Sequence, residues 1–176
     1  MFRKLTGIGL IALMISGCTA GFRPQLKDYE GPDAARIRVN TEGNTALQFY
    51  EKQTDCYKKV LERRITSGLA LMGIPVTGNK SLGMPPSSDV KGFFINEFKV
   101  KPNQFVRVIH YWVQSGYYQN NERSSTFYFV PQAGHDYDII VTGSLYSGDS
   151  VSVKDLDANA NIVKWNEHLC PSSVFD

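Results

Sequence analysis

The sequence predicts a mainly β domain, an antiparallel β-sandwich of about eight short strands with one short helix. Three observations predict it. From Ala35 onward the apolar residues recur with period two. Turn-forming Gly, Pro, Asn and Asp clusters interrupt the chain roughly every 8–12 residues. A single segment carries helical spacing instead.

The elements follow in chain order. Ala35, Ile37 and Val39 alternate with Arg36, Arg38 and Asn40, as in a half-buried strand. Leu47 and Phe49 continue the alternation after the turn Thr41-Glu42-Gly43-Asn44, so residues 35–50 read as a hairpin. Tyr57, Val60, Leu61 and Ile65 fall at helical spacing, with Thr54 placed to cap the start and Gly68 to end it, which predicts a helix over 55–66. The stretch from Ile74 to Gly92 is rich in Gly, Pro and Ser and reads as a long loop. Phe98 and Val100 precede the turn Lys101-Pro102-Asn103-Gln104, and Phe105 to Val113 is apolar on both faces, as a central strand should be. Thr126 to Val130 is a further strand. After Pro131-Gln132-Ala133-Gly134 come Tyr137, Ile139 and Val141, then Val151 and Val153, and Ile162 to Trp165 closes the series.

Ahead of this domain lies a different kind of segment. Arg3 and Lys4 make a positive start, and Leu5 to Ile15 make an apolar run too short to span a bilayer. The run ends in Ile15-Ser16-Gly17-Cys18, which resembles the lipobox of bacterial lipoproteins. That resemblance implies cleavage before Cys18, a diacylglycerol thioether on its sulfur and a fatty acyl chain such as palmitate on the new amino terminus. Two or more acyl chains make a stable anchor without a spanning helix. Thr19 follows where an Asp would favour retention in the inner membrane of enteric bacteria, so the expected place is the outer membrane, facing the periplasm. The organisation expected is a signal peptide at 1–17, a lipidated cysteine with a flexible tether at 18–33, and one domain at 34–176.

Removing residues 1–17 from the 176 leaves 159, enough for one domain with a core. The net charge of +2 resides in Arg3 and Lys4. Without them, 17 of the 19 basic residues face 17 acidic ones. A balanced chain without basic runs gives no footprint for nucleic acid. With Cys18 taken by the anchor, Cys56 and Cys170 remain in an oxidising compartment, where an even pair reads as a disulfide. Two buried thiols, or a metal site with His168, are the alternatives, and the latter lacks clustered zinc-ligand spacing.

Chemistry-bearing patterns are sparse, and neither an enzyme nor a cofactor is expected. The string Gly143-Ser144-Leu145-Tyr146-Ser147-Gly148 does not fit the G-x-S-x-G elbow of serine hydrolases. His110 lies mid-strand and His135 in a polar turn, with no nucleophile adjacent in sequence. Asp155, Asp157, Asn159 and Asn161 alternate as in a calcium loop, but Ala160 and Asn166 stand where an EF-hand needs Gly and Glu, so the run reads as a hairpin turn. No metal is expected. Residues 114–123 form a polar loop with Tyr117 and Tyr118 near its tip, suited to recognition on a rigid sheet.

The run EFKVKPNQFVRVIHYW with STFYFVPQAGHDYDIIVTG resembles the layout of small periplasmic transthyretin-like or immunoglobulin-like sandwich domains of envelope lipoproteins. Only Ala133-Gly134 and Tyr137 match at residue level, so the resemblance implies a fold and supplies no functional residue. The expectation is a non-catalytic, membrane-anchored binding or adaptor module with a protein partner in the envelope. A structural subunit of an envelope or secretion assembly, like the type VI secretion lipoprotein though without that family's motifs, is one alternative. A hydrolase acting on envelope polymers is the other.

Overall fold

A computed structural model of the chain describes residues 24–40, 43–66, 70–71, 74–75, 80–115, 120–144, 148–157 and 161–171. Among the described residues ten strands run in the order β1 Ala35–Asn40, β2 Asn44–Lys52, β3 Tyr57–Arg64, β4 Ala70–Leu71, β5 Ile74–Pro75, β6 Ile95–Val100, β7 Phe105–Ser115, β8 Asn120–Phe129, β9 Asp136–Ser144 and β10 Gly148–Asp155. Eight of them form two four-stranded sheets, ordered β10-β9-β1-β6 and β3-β2-β7-β8, while β4 and β5 pair only with each other. The sheets stack as a β-sandwich. All pairs are antiparallel except β1–β9.

The period-two residues meet between the sheets. Ile37, Val39, Phe98, Tyr137, Ile139 and Val141 come from one sheet, and Leu47, Phe49, Val106, Val108 and Phe129 from the other. Burial of these side chains drives the stacking, each contributing about 1.5–3 kcal/mol.

Several expectations need correction. Residues 55–66 are not a helix: they form strand β3 and its approach. The ladder with β2 shifts register between Phe49 and Tyr50, where Leu61 and Lys59 are the successive partners and Val60 is skipped. That bulge moves the side-chain alternation by one residue, so Tyr57 and Leu61 lie on opposite faces and their spacing mimics a helix. Among the described residues the only helical turn is a 3-10 turn at Ser88–Val90.

The segment 35–50 is not a hairpin either. β1 joins β6 and β9 while β2 joins β3 and β7, so the connection crosses between sheets. Gly43 sits in the left-handed region at φ 65°, and a Cβ there would lie 2.3 Å from the His110 ring. Thus the turn needs glycine for both conformation and room. The loop foreseen at 114–123 is mostly strand, since the β7–β8 ladder runs out to Ser115 opposite Asn120. Ile162 to Trp165 is irregular rather than a strand. It carries Trp165 onto the outer face of the second sheet, against Tyr57, Tyr128 and Tyr50 at ring-centroid distances of 4.6, 4.9 and 5.1 Å.

Cys56 and Cys170 are bonded, with Cα atoms 4.9 Å apart, which sets aside the two-thiol and metal alternatives for this pair. Beside the bond, Tyr57 N–H donates to the His168 carbonyl at 2.8 Å, and Cys170 N–H donates to the Tyr57 carbonyl at 3.0 Å. The C-terminal segment is therefore stapled to the start of β3. Replacing both cysteines with Ser frees a 114-residue separation in the unfolded chain and should cost roughly 2–5 kcal/mol. A lower urea midpoint checks this, and an unchanged midpoint would contradict it.

Candidate functional site

A sandwich has two flanks where its sheets end, and the two are closed differently here. On one flank β8 and β10 touch directly. On the other lie the edge strands β3 and β6, and residues 24–29 run between them. Arg64 N–H donates to the Pro24 carbonyl at 3.0 Å, and Leu26 N–H donates to the Arg64 carbonyl at 2.9 Å. Across the gap, Tyr29 N–H donates to the Lys99 carbonyl at 3.0 Å. The Asp28 carboxylate accepts from Lys99 N–H at 3.0 Å and from Lys80 Nζ at 2.7 Å. The segment expected to be tether at 18–33 is thus divided, and from Pro24 onward it belongs to the domain.

Under this strap lies an open groove of about 260 Å³. Leu26, Phe49, Leu61 and Val100 make its apolar wall, and Lys27, Lys99 and Lys101 stand at its rim. All three lysines are exposed, and among the described residues none takes part in an ion pair. The one carboxylate in the groove, Asp28, is already engaged by Lys80. The arrangement can accept an amphiphile with an anionic head.

The β3 edge beside the groove is occupied at both ends, by the strap at Arg64 and by the C-terminal segment at Tyr57. Between them Lys58, Lys59, Val60 and Leu61 are exposed, the last two at 47% and 37%. Lysines and a bulge on an edge strand discourage another strand from adding.

A second polar cluster lies on the outer face of the β1-bearing sheet. The parallel register sets Arg36 beside Asp136 and Arg38 beside Asp138. Arg38 is buried and donates to Asp138 at 2.8 Å and to the Pro85 carbonyl at 2.8 Å. Glu97, also buried, accepts from Leu82 N–H and from Met84 N–H. These bonds hold residues 80–85, the described part of the Gly/Pro/Ser loop nearest β6, against the sheet. The loop is clamped by buried charges.

His135 is the third feature. Its Nδ1 lies 2.9 Å from Asp155 and 3.4 Å from Asp157. The hydrogen bond to Asp155 raises its pKa above the usual 6.5, against a smaller opposing effect of burial. Behind it, burial pushes the Tyr137 phenol up to about 12, and its oxygen accepts from Gln132 N–H at 2.9 Å. His135, Asp155 and Asp157 could offer three ligand atoms to a divalent cation, all within 4.8 Å of one another. Asp155 already holds both His135 and the Asp157 N–H, so the cluster also stands as a self-contained ion pair.

The remaining sequence-marked residues place as follows. Cys18, Tyr117 and Tyr118 lie outside the described residues. His110 is fully buried, its Nδ1 2.9 Å from Thr45 Oγ1, and His168 is exposed beside the disulfide. Leu26, Lys27, Lys99 and Lys101 were not singled out in the sequence. The available signal was Leu26 and Tyr29, a leucine and a tyrosine in an otherwise polar stretch. Among the described residues no helix is long and apolar enough to cross a membrane.

The His135–Asp155 pair yields a pH test. A folded-state pKa raised above its unfolded value contributes stability below the unfolded value and loses it as pH rises through the folded one. Wild type should therefore exceed His135→Asn in melting temperature at about pH 5.5, and the difference should vanish by about pH 8.5. A difference that stays constant across that range would contradict the pair.

Compared with known proteins, the chain matches no family model, no curated protein and no solved structure.

Proposed function

We propose that the chain is a membrane-anchored envelope lipoprotein whose β-sandwich serves as a non-catalytic binding or adaptor module. The observation that carries the reading is the pairing of Ile15-Ser16-Gly17-Cys18 with the Cys56–Cys170 disulfide. Disulfides persist outside the reducing cytosol, which is where a lipobox would deliver the domain. The outer membrane, facing the periplasm, is the proposed location, and a protein of the envelope is the proposed partner.

The binding reading is favoured over the hydrolase reading by where the histidines sit. His110 is enclosed with Thr45 inside the sandwich, away from any substrate. His135 is held by two carboxylates in a turn. A structural subunit of an assembly would share the anchor and the fold, and crosslinking followed by purification separates it from an adaptor by a fixed stoichiometry.

The anchor is tested by Cys18→Ser. Wild type should incorporate labelled palmitate and sediment with membranes, while the variant does neither. Equal labelling of both would remove the lipoprotein reading. For the partner, Tyr117→Ala with Tyr118→Ala should leave stability within about 0.5 kcal/mol and weaken capture by about 2 kcal/mol or more. A clear loss of stability would instead assign the two tyrosines to packing.

A further inference from the structure

The strap changes what the anchor can do. With residues 24–29 bonded to β3 and β6, the only chain left between lipid and domain is the six residues 18–23. Fully extended these reach about 20 Å, against roughly 50 Å for the tether expected from the sequence. The strap meets β3 at Arg64, so the flank bearing the groove is the part of the domain nearest the anchor.

That flank has a chemistry of its own. Lys27, Lys99 and Lys101 rim the groove, and no described acid pairs with them. Beside them Val60 and Leu61 present apolar surface at 47% and 37% exposure. The mature chain as a whole is charge-balanced, so an unpaired group of lysines at this place is a local feature. Its partner must carry negative charge and offer apolar contact. An added peptide strand fits poorly, because the β3 edge is bulged at Val60 and blocked at both ends.

We propose that the β3–β6 flank is a membrane-facing surface, on which Lys27, Lys99 and Lys101 engage the headgroups of anionic phospholipids while Val60 and Leu61 meet the interface. The proposal rests on the lipoprotein reading for the length of the tether. Anionic leaflets attract basic groups within a Debye length of the surface, about 8–10 Å at physiological salt, and a tether of about 20 Å brings the flank within reach of that zone. The lipid on Cys18 holds the protein at the membrane, and the flank sets which side faces it.

The test does not depend on cellular lipidation. Every contact described lies within residues 24–171, so a chain beginning at Cys18 keeps the whole domain. With Cys56 and Cys170 bonded, Cys18 is its only thiol and can be coupled to a maleimide lipid. The coupled protein is placed on vesicles of phosphatidylcholine alone, or of phosphatidylcholine mixed with phosphatidylglycerol. Hydrogen exchange is read at residues 58–62, with residues 161–164 as the reference on another face. The expected result is slower exchange at 58–62 on the anionic vesicles only, reversed by salt. Changing Lys27, Lys99 and Lys101 together to Gln should lower the docked-to-undocked ratio roughly 100-fold and abolish that protection, with the melting temperature unchanged. Equal exchange on both vesicles, full protection in the triple variant, or protection at the reference residues instead would each overturn the proposal. Failure of palmitate labelling in cells with protection intact on vesicles would overturn only the lipoprotein reading.

Discussion

Two stacked sheets bury their facing sides and leave two flanks where backbone and core meet water, and the closure of those flanks governs the rest of this molecule. On one side β8 and β10 approach closely enough to seal the core by contact. On the other, residues 24–29 bridge β3 and β6, their backbone bonding to Arg64 on one sheet and Lys99 on the other. Leu26 packs against the core from this strap. The groove between β3 and β6 and the position of the N-terminal tether both follow from that single crossing.

Electrostatics then reinforce the closure. Asp28 is the pivot, since it joins the strap to β6 through Lys99 N–H and to the loop through Lys80. The loop in turn is fastened by buried Glu97 and Arg38, and by Lys154 to Asp89 at 2.6 Å on β10. Removing one partner of a buried pair leaves an uncompensated charge and is far more costly than losing an exposed one. Removing one partner of the Arg38–Asp138 pair should therefore cost more than removing one partner of the Lys154–Asp89 pair. At the opposite end of β3, the disulfide and Trp165 fix the C-terminal segment, so both chain ends brace the same edge strand.

Much of this was legible in the sequence, for physical reasons that also explain the failures. Period-two patterning marked the core strands because one face of each is buried, and cysteine parity with compartment marked the disulfide. β3 was misread because a single bulge offsets its alternation, and no propensity signal distinguishes a skipped Val60 from a helical turn. The hairpin at 35–50 was misread because adjacency in sequence says nothing of whether a turn stays in one sheet or crosses to the other. Arg36, Arg38, Asp136 and Asp138 read as ordinary surface residues, since their pairing depends on a parallel register 100 residues apart. The strap was hidden for the same reason: a short polar segment with one leucine shows its role only when the two edges it joins are known.

The central claim is that residues 24–29 are part of the fold and not of the tether. Site-resolved hydrogen exchange tests it most directly, because backbone bonds to sheet edges slow exchange and a solvated tether does not. Leu26 and Tyr29 donate to the carbonyls of Arg64 and Lys99, so their amides should exchange far more slowly than the same residues in an unstructured peptide. Exchange of Leu26 and Tyr29 at the unstructured-peptide rate would contradict the account.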